Sequence, residues 1–352
     1  MEIQGKISKL FSPKCYFPLI LVIITALLPL VLNPFQEHVL VLVYLYAILA
    51  ESWNIIGGYA GQGSFLNAAF FGIAAYASSL LFILYGISPW IGMFVGAFFS
   101  VLLALGAGYL CFRFGLKGHF FFLASIGITV AIQRAFINWY WPVNGDLIGG
   151  AYGVWVPVIK GDSLYNFQFR GKTPYYYIAL AILLAELYIT YKIQNSKLGY
   201  YFTAIRDDED AAESLGIDTL KFKIIAFAIS AALTAPAGTF YAQFFLFIDP
   251  FTVLTDMLSI EMVVVAVIGG MGTILGPVIG AMILQPMMEY VRAFLGARSG
   301  LDLIITGLII IVIATLRPRG FIKWFEDGYN YIAKHLPTIH VGGEKKRGHF
   351  GS

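Results

Sequence analysis

The chain has 352 residues, 59% hydrophobic and only 12% charged, with a mean hydropathy of +0.78. Charged residues make up about a quarter of an ordinary soluble domain, so this composition excludes a soluble globular protein and describes a polytopic membrane protein in a lipid bilayer. The net charge of +3 is small and collects at the two ends and in a few loops, which argues against a nucleic-acid partner and leaves the basic residues as reporters of membrane topology.

Lys6, Lys9 and Lys14 precede an apolar run that ends near Leu32. No small-x-small cleavage site closes that run, so it reads as a retained first span over 17–32. Runs long enough to cross a hydrocarbon layer of ~30 Å follow at 39–56, 64–85, 90–112 and 120–138. After a polar loop over 139–174 comes a sixth at 175–193. With the N-terminus held in the cytoplasm by its lysines, Arg113 and Lys117 fall inside, the 139–174 loop outside, and Lys192, Lys197 and Arg206 inside again. Charge bias and span count agree at each step.

Span seven covers about 224–247 and delivers Asp249 and Asp256 to the outside. The next apolar stretch is interrupted by Gly269-Gly270-Met271-Gly272 and by Gly276-Pro277. A single crossing there would leave Arg317, Arg319 and Lys323 outside, so two short crossings are expected near 258–274 and 277–294, then a last one at 302–316. The expected fold is all-α, with about ten transmembrane helices in a single domain over 1–341 and both termini cytoplasmic. The basic, Gly-rich tail 342–352 is expected to be disordered.

Two polar interruptions carry most of the information about function. The first, 197–223, reads KLGYYFTAIRDDEDAAESLGIDTLKFK and holds most of the clustered charge. Asp207 or Asp208 can cap a short helix there, the carboxylates that follow sit at its positive end, and Gly216 is suited to stop it. Ala211, Ala212 and Leu215 would make one small, weakly apolar face ringed by Asp208, Glu209, Asp210 and Glu213. That face is too small for a core and suits a shallow groove on a partner; the plain alternative is a solvated charged loop. The second interruption, Gly57-Gly58-Tyr59-Ala60-Gly61-Gln62-Gly63-Ser64, places four glycines in seven positions. A helix broken at membrane depth is tolerated only in a protein interior or beside a watery cavity; the alternative is a tight cytoplasmic turn.

Ionisable residues inside the apolar runs are few: Glu51, Arg134, Glu186, Glu261, Glu289 and Arg292. Arg134 can snorkel to the surface, Glu261 reads as interfacial, and Glu289 and Arg292 stand three apart and can neutralise each other. No proton relay or ion cage emerges. Cys15 and Cys111 form no CxxC pair, so no disulfide framework or metal site is expected. Residues 166–173, NFQFRGKT, end like a phosphate loop but lack its first glycine and its preceding strand. Without a GxSG or HExxH pattern, an intramembrane enzyme is not expected either.

Asp210-Ala211-Ala212, followed three residues later by Gly216, resembles the "EAA" loop of ABC importer permeases, the cytoplasmic segment that docks on the ATPase, with Asp210 in place of Glu. The longer string 204–217, followed by Lys223-Ile224-Ile225-Ala226-Phe227, is similar to branched-chain amino acid permeases of the LivM type. So are 64–76, in which Leu66-Asn67 replaces the usual Gly-His, and 116–121, 149–153 and 267–277. These blocks run in the family's order from about residue 50 to 320.

The resemblance implies an ABC importer permease fold in a prokaryotic cytoplasmic (inner) membrane. It implies a homologous permease subunit, two cytoplasmic ABC ATPase subunits that carry ATP and Mg, and an external solute-binding protein as partners, with no cofactor bound by this chain. Arg206, Asp207, Asp208, Glu209, Asp210, Ala211, Ala212, Leu215 and Gly216 would form the ATPase-coupling segment. Leucine, isoleucine or valine would be the cargo, with urea or a short amide as the alternative inside the family. Such an amino acid is a zwitterion with an apolar side chain and needs a few hydrogen-bonding groups among apolar walls. Gly58, Gln62, Ser64, Asn67, Gly269 and Gly270 are the candidates for that path by polarity and position. An ion-coupled secondary transporter built on broken helices is the reading from a different class, distinguished by uptake that survives loss of the ATPase.

Overall fold

The computed structural model describes residues 24–143, 146–159 and 161–295, with isolated positions 304, 307, 308, 311, 315 and 320–322 beyond them. Most of the expected first span, most of the last crossing at 302–316 and the whole tail at 342–352 lie outside the described residues. After a 3-10 turn at Leu28–Leu30, helix α1 runs Pro34–Asn54. Asn33 opens it with a reciprocal capping box: its side chain accepts from the Gln36 amide at 2.8 Å, and the Gln36 side chain accepts from the Asn33 amide at 3.2 Å. Pro34 at the first position costs no hydrogen bond, because that amide has no helical partner. The helix continues into a π-helical turn, Ile55–Tyr59, at the first Gly-rich break.

Three helices follow, α2 (Asn67–Tyr85), α3 (Pro89–Arg113) and α4 (His119–Ile137). The polar loop after them is not helical. It holds an antiparallel ribbon of β1 (Tyr140–Val143) and β2 (Asp146–Gly149), then β3 (Val154–Trp155). Next come α5 (Thr173–Gln194), two short helices α6 (Lys197–Asp207) and α7 (Glu209–Ser214), and the long α8 (Thr219–Phe245). Strand β4 (Phe247–Ile248) pairs with β3, and α9 (Pro250–Val253), α10 (Asp256–Gly269) and α11 (Gly276–Leu295) complete the described chain. Seven segments among the described residues are long and apolar enough to cross a membrane.

Helix α1 is the buried axis, packed by α5, α8, α10 and α11, while α2, α3 and α8 pack mutually against one another. Small residues set the closest approaches. On α3, a Cβ at Gly92 would meet the Ser78 backbone at 2.7 Å, and one at Gly96 the Ala74 backbone at 2.7 Å. Phe94, Phe98 and Leu102 of α3 and Phe120 and Leu123 of α4 remain exposed, as expected of helices whose outer faces meet lipid rather than water.

The α10–α11 region is a tight antiparallel hairpin. An added Cβ at Gly269 would lie 1.7 Å from the Gly276 carbonyl oxygen, and one at Gly280 2.0 Å from the Val265 oxygen. Pro277 begins α11, where its missing amide costs nothing.

The alternation of helices puts Arg113, Lys117, Lys192, Lys197 and Arg206 at one end of the bundle. The 139–172 loop sits at the other. There Trp90 Nε1 donates to the Leu164 oxygen at 2.7 Å, Gln133 Nε2 to the Pro250 oxygen at 3.0 Å, and β3 pairs with β4.

Candidate functional site

The acidic segment folds as two helices meeting at a sharp corner. Ser196 caps α6, accepting from the Leu198 amide at 3.2 Å, and α6 stops at Asp207. Asp208 is extended, with φ −159°, and its carboxylate accepts from the Ala211 amide at 2.9 Å to open α7. Gly216, at φ +84°, takes the left-handed conformation that lets Ile217 N–H turn back to the Ala212 oxygen at 3.1 Å. The expected apolar face is divided by this geometry. Ala212 turns inward and is buried, while Ala211 and Leu215 face outward, Leu215 at 83% exposure.

Glu209 and Asp210 do different work. Glu209 Oε1 lies 2.7 Å from Lys223 Nζ on α8 and 3.5 Å from Lys117 Nζ on the α3–α4 turn. The Lys223 side chain is only 3% exposed and sits 5.0 Å above the Phe112 ring, so Glu209 neutralises a buried cation. Asp210 is open to solvent and meets Lys117 at 2.8 Å. The hydrogen bond and then the charge of Lys117 hold the Asp210 carboxyl below the ordinary carboxylate range. The same hydrogen bond raises the Lys117 ammonium.

Beneath α6 lies a junction that brings the two Gly-rich breaks together. Arg206 Nε and Nη2 bind Asp207 Oδ1 at 3.1 and 3.0 Å, and Arg206 Nη1 donates to the Gly58 oxygen at 3.2 Å. Asn54, at the end of α1, accepts from the Gly272 amide at 2.8 Å and donates to the Thr273 oxygen at 2.9 Å. A Cβ at Gly58 would stand 1.9 Å from Asn54 Oδ1 and 2.7 Å from the Gly272 nitrogen, so no larger residue fits. In sequence Asn54 was one amide inside an apolar run. Its place three residues before a glycine pair was the single signal available.

The other candidate path residues are buried as well. Asn67 Nδ2 donates to Ser230 Oγ at 2.9 Å and Thr234 Oγ1 at 3.2 Å, and both hydroxyls reach Ser52 on α1. Ser64 accepts from the Leu66 amide, its carbonyl accepts from Trp53 Nε1 at 2.8 Å, and the Gln62 amide closes the π turn onto the Ile56 oxygen. Gly269 lies in the hairpin contact, and a Cβ at Gly270 would meet Ile322 at 2.4 Å. Thus Gly58, Gln62, Ser64, Asn67, Gly269 and Gly270 all sit at packed positions in this arrangement, with Gln62 Oε1 and Asn67 Oδ1 buried and lacking a hydrogen-bond partner among the described residues. Among the described residues no cluster of three or more His, Cys, Asp or Glu could hold a metal ion.

Residues 36–314 match the family described as "Branched-chain amino acid transport system / permease component". The chain belongs to this permease family. Among the permease's relatives is the "High-affinity branched-chain amino acid transport system permease protein LivM" of Escherichia coli, 24% identical over 87% of this chain and 74% of that protein. The LivH protein of the same title from Salmonella typhimurium is 26% identical over 79% of this chain and 91% of its own length. A "Probable branched-chain amino acid transport permease protein LivM" from Methanocaldococcus jannaschii is 25% identical over 57% of this chain and 65% of its own. No solved structure matches the permease. It is a multi-pass membrane protein and a permease component of a transport system.

Proposed function

We propose that the chain is the membrane permease subunit of an ATP-driven ABC importer for leucine, isoleucine and valine, with α7 as the element through which the ATPase acts. The observation that carries this reading is the way α7 is fixed. Glu209 is locked inward on Lys223 and Lys117, while Ala211, Glu213 and Leu215 face outward. A helix anchored on one side and bare on the other is a handle.

Because Lys223 belongs to α8 and Lys117 to the α3–α4 turn, a push on α7 displaces those elements with it. Arg206, one residue before the Asp207–Asp208 corner, passes the displacement to Gly58 and so to the junction clamped by Asn54. ATP and Mg bind the two partner ATPases, which move between states that dock α7 differently; that difference in docking free energy drives the switch. In this reading the basic end and both termini face the cytoplasm of a prokaryotic cell. A homologous permease completes the pathway, and an external solute-binding protein delivers cargo to the loop end.

The test is uptake of radiolabelled L-leucine into membrane vesicles holding the full complex. Uptake should require ATP hydrolysis and persist when ion gradients are collapsed. Uptake that survives an inactivated ATPase but disappears with the ion gradient contradicts the proposal.

A further inference from the structure

Helices α1 and α5 pack against each other, and the seam between them holds two carboxyl groups. Glu51 lies about one turn before the end of α1, and Glu186 about two turns before the end of α5. Both are buried, and they are close enough to interact electrostatically. Thr190, four residues after Glu186 on the same face of α5, is fully buried and stands next to Glu51. Tyr59, from the π turn that follows α1, completes the group. In a packed interior nearly every buried polar atom has a partner. Here both oxygens of Glu186, Oε1 of Glu51, the Thr190 hydroxyl and the Tyr59 hydroxyl have none of ordinary geometry among the described residues. Glu51 Oε2 accepts the Asn54 side-chain amide at 3.5 Å. Among the described residues neither carboxyl takes part in an ion pair. Arg206 acts on Tyr59, but its guanidinium is committed to Asp207 and the Gly58 oxygen, and α8, α10 and α11 bring no charge to bear on either acid.

Two carboxylates side by side in an apolar seam each forfeit their hydration and repel each other. Acids in one site without a cation are neutralised by holding a proton between them, and an ionisable pair at membrane depth marks a functional place by default. We propose that Glu51, Glu186 and Thr190 form a proton-binding site in the α1–α5 seam, occupied at neutral pH. A metal ion suits the set less, because no third carboxylate, histidine or cysteine joins it among the described residues. When occupied, the site has its proton bonded to one carboxyl oxygen, with the other carboxyl and the Thr190 hydroxyl sharing the hydrogen bonds, and the neutral seam stays dry and closed. On release the O–H bond breaks, its electron pair stays on the carboxylate, and the proton passes to water. Since α5 leads through Ser196 directly into α6, a displacement of α6 and α7 draws Glu186 away from Glu51, wets the seam and frees the proton. By reciprocity, alkaline conditions favour that opened state. The cluster lies toward the basic end of both helices, so the proton exchanges with that side alone and takes no energy from a gradient. The site itself does not depend on what the permease carries; its link to α6 and α7 rests on the transport reading above.

The test is infrared spectroscopy of the assembled complex at about pH 7, where exposed carboxylates are ionised and a buried acid alone shows the C=O stretch of a protonated carboxyl. The spectrum of the unaltered complex minus that of the double variant Glu51→Gln with Glu186→Gln should contain such a band, moved to lower frequency in heavy water. Gln copies the shape of the neutral acid, so the double variant should keep its thermal midpoint. Thr190→Val, which leaves both carboxyls in place, should move the band to higher frequency by removing a hydrogen bond from it, and it decides the question if the double variant does not assemble. Absence of the band from the difference, or a band that Thr190→Val leaves unmoved, overturns the proposal. So does a midpoint that rises in sodium over choline for the unaltered complex but not for the double variant, which is the signature of a metal site. Trapping the complex with ATP bound but unhydrolysed should diminish the band. A full band in the trapped complex overturns the link to α6 and α7 alone, whereas a complex that hydrolyses no ATP overturns the transport reading, with the band at neutral pH still deciding the site.

Discussion

Glu209 and Asp210 are adjacent and equally charged, yet the surroundings of each decide what a substitution does. Glu209→Ala strands the buried Lys223 ammonium, and stripping one partner from a buried pair costs on the order of 3–5 kcal/mol. The expected result is a lower thermal midpoint of the purified complex together with lost uptake. A double variant, Glu209→Ala with Lys223→Met, should recover midpoint without recovering coupling. Asp210→Asn removes an exposed, salt-screened contact and should leave the midpoint unchanged; a drop as large as that of Glu209→Ala would show that the two roles are misassigned. The pH dependence follows from the same pair. The Asp210 carboxyl lies below its ordinary value, so its contribution is complete above about pH 4 and lost as pH falls through the lowered value. The Lys117 ammonium is raised, so its contribution is complete below about pH 10 and lost as pH rises through the raised value. Hydrogen exchange of the α7 amides should therefore, after correction for intrinsic rates, be flat from pH 5 to 9. A step inside that window contradicts the assignment.

At the scale of elements, the structure depends on two glycine breaks meeting through Asn54. Asn54→Ala leaves the Gly272 N–H and the Thr273 carbonyl without their partners, at about 1–3 kcal/mol for each buried group left unsatisfied. Melting should fall accordingly, and no less for Asn54→Asp, which keeps the acceptor for Gly272 but sets a buried carboxylate against the Thr273 oxygen and Glu51. The α10–α11 hairpin makes a sharper contrast. Gly269→Ala drives a methyl to within 1.7 Å of a carbonyl oxygen, whereas Gly127→Ala on α4 meets nothing within 4 Å. The first should destabilise by about 1–3 kcal/mol or more, the usual cost of overpacking, and the second should be neutral in the same melt. Similar losses for both would mean that the hairpin is not closely packed.

The spans were legible because hydropathy and length are properties of a stretch. The interrupted apolar run 258–294 resolved into two helical arms, with Gly269 and Pro277 marking the corner, but only the first, within Pro250–Gly269, is among the seven described segments long and apolar enough to cross a membrane; the expected crossing at 277–294 is not. The cap at Asp208 and the stop at Gly216 were legible because both are local. What could not be read were meetings across the chain: Arg206 with Gly58, Asn54 with Gly272, and Glu51 with Glu186. Each partner looks ordinary alone, Glu51 and Glu186 as single carboxyls on separate apolar runs. Only packing shows that the two share one seam. The inward turn of Ala212 was hidden for the same reason, since the face a short helix buries is set by what lies beneath it.

For the whole molecule, the two ends of the bundle have opposite duties: the loop end receives and the basic end is driven. Cysteines placed at Tyr152 and Leu215, both highly exposed and at opposite ends, should react with an impermeant maleimide from opposite sides of sealed vesicles; reaction of both from one side contradicts the topology. The most direct measurement of the central claim is a photo-cross-link from position 215 in membranes containing the complete transporter. The account predicts a cross-link to the nucleotide-hydrolysing subunit whose yield changes when ATP is bound but not hydrolysed. A position 215 that captures no such subunit, or that is labelled only from the outside, would contradict it.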